Sequence, residues 1–253
     1  MTDSFYRIRY AEETDSTNLW IRRLHDEGAP EGTVACADTQ TAGRGRRGRT
    51  WFSPKGSSIA FSILLEPKIA EERAPMLSLV MGLAVRDALR ELTGCEVRIK
   101  WPNDAVISGK KICGILTEMI LNGSDEPYVI VGTGINNGIA EFGDGLKDRA
   151  TSILLETGKA AERDAVLEKV LNHFLEDYRL FLKDGNLESM KDRYNRALVS
   201  RGKDVIIMDR NGNYTARSEG IDASGALIIE KEDGTKEAIT SGEVSVRGLY
   251  GYA

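Results

Sequence analysis

The chain has 253 residues, 41% of them hydrophobic and 29% charged, with a formal net charge of −5. This allows one sizeable globular domain, or one domain with a small appendage, around a real core. An acidic chain of pI about 5.3 argues against a protein whose main work is gripping nucleic acid, because such chains are usually basic.

Cys36, Cys95 and Cys113 stand singly among apolar residues, and the only histidines are His25 and His173. That excludes a zinc framework and gives no candidate metal ligand. A reducing cytoplasm is the default compartment. Residues 1–7 lack the apolar core of a signal peptide, and no apolar run is long enough to span a bilayer.

Residues 5–10 alternate loosely and read as a short strand. Thr14, Asp15, Ser16, Thr17 and Asn18 form a dense capping cluster before Leu19, Trp20, Ile21 and Leu24, which predicts a helix over about 17–27. A buried strand over 33–37 then delivers the chain to Thr39–Phe52, where Gly43, Gly45 and Gly48 alternate with Arg44, Arg46, Arg47 and Arg49. Arginine presents a permanently charged fork that suits carboxylate and phosphate oxygens. Glycine lets the backbone approach a ligand, at an entropic cost when the segment orders. The physical reading is a loop that is mobile when empty and closes over an anion. A solvated basic loop and a nucleic-acid contact remain alternatives that the loop alone does not decide.

Residues 58–65 form the next strand, and 72–92 carry apolar residues at helical spacing up to Gly94. A strand over 97–107, broken at Pro102-Asn103-Asp104, is followed by strands over 111–121 and 128–136. Short links between them mean antiparallel neighbours. With helices before and after this block, the class is α+β rather than an alternating doubly wound fold. Residues 162–182 form an amphipathic helix and 187–196 a shorter one. From 198 onward the segments are short and β-rich, at 205–208, 226–229 and 244–246, with Asn211-Gly212 and Asp233-Gly234 as hairpin turns. This predicts a domain over 1–197 and a small β-barrel over 198–253.

Taken singly, the polar segments are modest signals. Ser16-Thr17-Asn18 reads as a helix cap, Lys100 and Lys111 as surface lysines, and Gly132-Thr133-Gly134 as a strand end lacking the full dinucleotide fingerprint. Together they resemble one family, the biotin–protein ligases (biotin–[acetyl-CoA-carboxylase] ligase, or holocarboxylase synthetase). The matching pieces are Asp15-Ser16-Thr17-Asn18, Gln40 with Gly43 to Arg49, Trp51-Phe52-Ser53-Pro54, Lys100-Trp101-Pro102-Asn103-Asp104, Lys110 to Leu116, and Gly132-Thr133-Gly134-Ile135-Asn136. Their order and spacing fit, and the likeness runs through the C-terminal segment to Arg247.

The resemblance implies a mixed, largely antiparallel sheet with flanking helices, of class II synthetase type, and an SH3-like C-terminal barrel. It implies activation of biotin by ATP with magnesium to biotinyl-5′-AMP, then transfer to a lysine of a biotin carboxyl carrier domain. It also implies a homodimer, while the acidic pI and the lack of a membrane-spanning run point to neither DNA nor membrane as a partner. Some relatives carry an N-terminal helix-turn-helix domain and repress transcription. Here the pattern begins at about residue 14, so a short form without that role is expected.

By the same resemblance, Ser16, Thr17, Asn18 and Gln40 lie at the biotin ring, with Gly114 on the biotin side. Arg44, Gly45 and Arg46 wrap the carboxylate and phosphate. Lys111 bridges the two anions, Arg49 touches the triphosphate, Trp51 packs beside adenine and Asn136 binds the nucleotide. Arg46, Lys111 and Asp104 are the catalytic candidates. Asp104 either orients and deprotonates the acceptor lysine or pairs structurally with Lys100 or Lys111. Glu243 and Arg247 reach toward nucleotide or acceptor. A lipoate ligase stays open, although a dithiolane ring has no need of the polar Ser16, Thr17 and Gln40 set. A nucleic-acid-binding regulator is the reading from another class.

Overall fold

The computed structural model describes residues 5–52, 54–121, 126–209, 212–241, 245–248 and 252. Its first sheet has seven strands: β1 (Arg7–Thr14), β2 (Thr33–Gln40), β3 (Ser58–Leu65), β4 (Arg98–Lys100), β5 (Asp104–Ile107), β6 (Lys110–Ile120) and β7 (Tyr128–Asn136). Their order is β1-β2-β3-β7-β6-β5-β4. Only β1 and β2 pair in parallel, because helix α1 (Thr17–Asp26) crosses between them. Every other pairing is antiparallel.

β3 and β7 are buried along their whole length and form the spine. Alternate side chains go to opposite faces. Val129, Val131 and Ile135 join Ile63 and Leu65 in the main core, under α2 (Met76–Thr93) and α4 (Arg163–Asp184). Tyr128, Ile130 and Leu64 join Ile21 of α1 in a smaller cluster on the other face. Along that second face the row Tyr128, Ile130 continues as Gly132, Gly134 and Asn136, and its neighbours are Ser62, Gly114 and Asp104. The apolar half of the face is covered by α1. The half made of glycines and polar residues lies beyond the helix's N-terminal end.

The expected strand over 97–107 is instead a hairpin. β4 runs up, Trp101-Pro102-Asn103 turns, and β5 runs back, so that Lys100 and Asp104 face one another across the ladder. A proline cannot donate to a continuing ladder, and the chain reverses where the break was read. β1 is also displaced from 5–10 to Arg7–Thr14. The remaining helices are α3 (Ile153–Thr157), capped by the Ser152 hydroxyl, and α5 (Glu188–Ala197).

Beyond α5 lies a five-stranded antiparallel sheet of β8 (Lys203–Asp209), β9 (Gly212–Ile221), β10 (Leu227–Glu230), β11 (Lys236–Ile239) and β12 (Ser245–Gly248), in the order β11-β10-β9-β8-β12. β9 and β11 carry no apolar run, with polar or charged residues on most of their exposed positions, so only the other three read clearly from sequence. The unit is tied to the β4–β5 turn through Trp101 Nε1, which donates to Gly225 O (3.0 Å), and to α5 through Asn195, which exchanges hydrogen bonds with the Ile221 backbone.

Candidate active site

Ser16 occupies the N-cap position of α1, yet its side chain makes no capping hydrogen bond. The hydroxyl instead lines a small cavity of about 50 Å³ together with Thr17, Asn18, Gln40, Arg44, Gly45, Arg46, Lys111 and Gly114. All nine positions expected at the biotin end therefore converge on one place.

Beneath them runs a buried polar network. Gln40 Oε1 accepts from Thr17 N at 2.8 Å and lies 3.1 Å from Thr17 Oγ1. Ser62 Oγ lies 2.7 Å from Thr17 Oγ1 and 2.6 Å from Asn18 Oδ1. Asn18 Oδ1 can only accept, so the Ser62 proton goes to it, and Thr17 donates to Ser62 or to Gln40. Asn18 Nδ2 donates to Glu118 Oε2 at 2.7 Å. The network fixes each group while leaving the Gln40 amide N–H protons for a ligand.

The floor is made of glycine. A β-carbon at Gly134 would stand 2.5 Å from the Trp51 ring, and one at Gly114 would stand 2.9 Å from both Trp51 and Lys111 Nζ. Trp51 thus lies flat on these two strands. Its indole N–H is buried without a hydrogen-bond partner among the described residues. Phe52 is exposed.

The Gly/Arg loop folds back on itself. Gly45 N donates to Arg49 O (2.7 Å), Trp51 N donates to Gly43 O (2.9 Å), and Arg47 sits at φ 57° in the tight turn. Arg44 and Arg46 face protein partners. Arg44 pairs with Glu118 at 3.1 Å. Arg46 donates to Asn103 Oδ1 (3.0 Å) and to the Ser241 carbonyl of the C-terminal unit.

On the far side of Lys111 opens a cavity of about 820 Å³, lined by Arg47, Arg49, Lys100, Arg149 and Arg247 among others. Trp51, Asn136 and Lys111 also line it. Asn136 donates to Thr151 O (2.9 Å) and so pins the segment that closes this side. Lys111 Nζ stands 2.6 Å from Asp104 Oδ1. The Tyr252 hydroxyl donates to Asp104 Oδ2, and Lys100 Nζ lies 3.6 Å from the centroid of the Tyr252 ring. Burial pushes the Asp104 pKa up, but Lys111, Lys100 and the Tyr252 hydrogen bond outweigh it and hold the carboxyl below its ordinary value. Burial, reinforced by Lys111, Arg247 and Arg49, brings Lys100 down to about 8. Neither lysine is a surface lysine.

Residues 10–136 match the Biotin/lipoate A/B protein ligase family and residues 202–247 the Biotin protein ligase C terminal domain. The chain belongs to this family. It is 36% identical over 230 residues to the Bifunctional ligase/repressor BirA of Bacillus subtilis (strain 168), covering 90% of this chain and 70% of the relative. It is 33% identical over 240 residues to the Biotin--[acetyl-CoA-carboxylase] ligase of Paracoccus denitrificans, covering 93% of this chain and 98% of the relative. The solved biotin protein ligase from Aquifex aeolicus in complex with biotin and ATP superposes with a TM-score of 0.85 at 36% identity, over 96% of this chain and all of that one.

Within this ligase-family chain, sequence reasoning missed Ser62, Glu118 and Tyr252. Ser62 carried a signal, as a polar residue in the middle of the apolar run Ile59–Leu65 of β3. Glu118 and Tyr252 carried none. Arg247 lines the larger cavity, and Glu243 lies outside the described residues.

Proposed function

We propose that the chain joins biotin to ATP and transfers the biotinyl group to a lysine of a biotin carboxyl carrier domain. The observation that carries this reading is that Lys111 lines both cavities, the small one with the hydroxyl and amide groups of Ser16, Thr17, Asn18 and Gln40 and the large cationic one. Hydroxyl and amide groups suit a urea, which both donates and accepts. Arginines and lysines suit a triphosphate. A cation at the junction holds two anions together for attack.

In the first step a biotin carboxylate oxygen attacks the α-phosphorus, the bond to the bridging oxygen breaks, and pyrophosphate leaves. Lys111 faces the charge that develops on the phosphoryl oxygens, with Arg46 and Arg49 from the loop. Ser16, Thr17, Asn18 and Gln40 hold the ring, Arg44, Gly45 and Gly114 flank it, and Trp51 and Asn136 take the nucleotide. In the second step the acceptor amine attacks the anhydride carbonyl, AMP leaves, and Asp104 orients the amine and takes its proton. The polar lining favours biotin over lipoate, whose apolar ring would leave these groups unpaired.

Magnesium would enter on the phosphates and neutralise their charge. Asp104 is already held by Lys111 and Tyr252, so the ion would be bound by phosphate oxygens more than by protein. The free cysteines fit a reducing cytoplasm, and no described helix is long and apolar enough to cross a membrane. A homodimer and the domain division at 197/198 complete the reading. Sedimentation of the chain with and without biotin and ATP tests the dimer.

The deciding experiment is mass spectrometry of a carrier domain after incubation with the chain, biotin, ATP and magnesium, beside an Arg46→Ala variant. A biotin-sized gain on one lysine, with site-selective modification impaired in the variant, supports the ligase. No gain with several carrier domains refutes it.

A further inference from the structure

We infer that Tyr252 is a positioning residue for the transfer step: its phenol fixes the Asp104 carboxylate, and its ring is itself held in place by Lys100. The inference rests on the reading of Asp104 as the group that receives the acceptor amine.

Asp104 is 8% exposed and begins β5, directly opposite Lys100 on β4. Its two oxygens are held by different partners. Lys111 Nζ holds Oδ1 as an ion pair at 2.6 Å, without hydrogen-bond geometry, and the Tyr252 hydroxyl donates a hydrogen bond to Oδ2. A carboxylate held at one oxygen still pivots about its Cβ–Cγ bond, whereas one held at both cannot. An ionised carboxylate has about four acceptor sites, so two anchoring contacts leave others for an incoming ammonium, fixed in direction. Tyr252 is anchored in turn by the Lys100 ammonium 3.6 Å from its ring centroid, a cation–π contact. The tyrosine therefore spans the mouth of the β4–β5 hairpin and touches both of its facing charges.

The chemistry assigns this arrangement to transfer rather than to adenylation. A fixed anion beside phosphoryl transfer opposes the charge that develops there, so cations are the groups that assist it. An approaching lysine needs the opposite: an acceptor in a set direction, to shed its proton as the amide bond forms.

The test separates the half-reactions. Biotin-dependent ATP–pyrophosphate exchange reads adenylation, and single-turnover transfer from preformed biotinyl-5′-AMP to a carrier domain reads the second step. With Tyr252→Phe, transfer kcat falls about tenfold, the loss of one hydrogen bond to a charged group. The KM for the carrier domain holds, and exchange falls by less than about threefold because the ring and its contact with Lys100 remain. Retained exchange certifies that the variant is folded. Asp104→Asn lowers transfer about a hundredfold, and adding Tyr252→Phe to it lowers transfer by less than a further factor of about two, because residues acting through one another are not additive. Transfer unchanged in Tyr252→Phe overturns the inference while leaving the Asp104 reading intact. Equal losses in both half-reactions, or multiplicative losses in the double variant, overturn it as well. Wild-type transfer in Asp104→Asn overturns the Asp104 reading itself, and the inference with it.

Discussion

Asn18 of α1 and Gly132 of β7 are fitted to each other, for a β-carbon on residue 132 would stand only 1.9 Å from Asn18 Oδ1. The amide cannot retreat. Its oxygen is held by Ser62 (2.6 Å) and its nitrogen by Glu118 (2.7 Å). Gly132→Ala should therefore displace Asn18 and open the network under the small cavity. Overpacking of this kind costs about 1–3 kcal/mol, so titration calorimetry should show biotin binding weakened about 5- to 150-fold. Gly143→Ala, where a β-carbon meets nothing within 4 Å, should bind biotin as the parent does.

Trp51 gives a second outcome. Its ring lies on Gly114 and Gly134 and lines both cavities. Biotin and ATP should therefore change the surroundings of the indole. Tryptophan emission should change on adding both ligands, and the change should vanish in Trp51→Phe, which retains Trp20 and Trp101. If Trp51 then stacks on adenine, Trp51→Ala should raise the KM for ATP about 2- to 10-fold, the scale of an aromatic stacking contact.

The floor and the loop were legible because they interrupt regular patterns. Gly132, Gly134 and Asn136 break the apolar row of β7, and four arginines among three glycines occupy a loop of an acidic chain. What the sequence concealed is long-range pairing. Nothing local says that Arg46 reaches Ser241 or that Tyr252 reaches Asp104, 195 and 148 residues away. The hairpin at Trp101–Asn103 was read as a broken strand because a proline break looks the same in sequence whether the chain continues or reverses. β9 and β11 went unread because strands with one face in water lack a continuous apolar run.

On the proposed reading Lys111 serves chemistry as well as stability, and the two can be separated by pH. Lys111→Met should lower the adenylation rate about 10²- to 10³-fold, as removal of one preorganised stabiliser does. It also leaves buried Asp104 without its ion-pair partner, with Lys100 as a remaining nearby cation, a change of up to about 3–5 kcal/mol. The Asp104 pKa is lowered in the folded parent. The stability it brings is therefore present above its unfolded pKa and lost as pH falls through the folded value. Thermal denaturation should show the Met variant much weaker than the parent at pH 7, with the gap narrowing in acid as Asp104 takes a proton. Asp104→Asn in the Met background should restore part of the melting temperature at neutral pH while leaving adenylation low.

Lys100 should report the arrival of the nucleotide. Burial and its cationic neighbours bring its pKa to about 8 in the free protein, so at pH 8 the side chain is about half charged. A lysine depressed in this way makes the folded state release a proton that the unfolded chain keeps, and stability rises with pH between about 8 and the unfolded value of about 10.4. A triphosphate in the same cavity reverses the balance. Its negative charge favours the ammonium, raises the Lys100 pKa and draws a proton from solvent. Binding of a non-hydrolysable ATP analogue should therefore be coupled to uptake of about half a proton at pH 8. Calorimetry in buffers of different ionisation enthalpy measures this directly. Uptake should fall away at pH 6.5, where Lys100 is already charged, and at pH 8 it should disappear in Lys100→Met. Uptake that persists in that variant would assign the proton to another group and leave Lys100 outside the nucleotide's field.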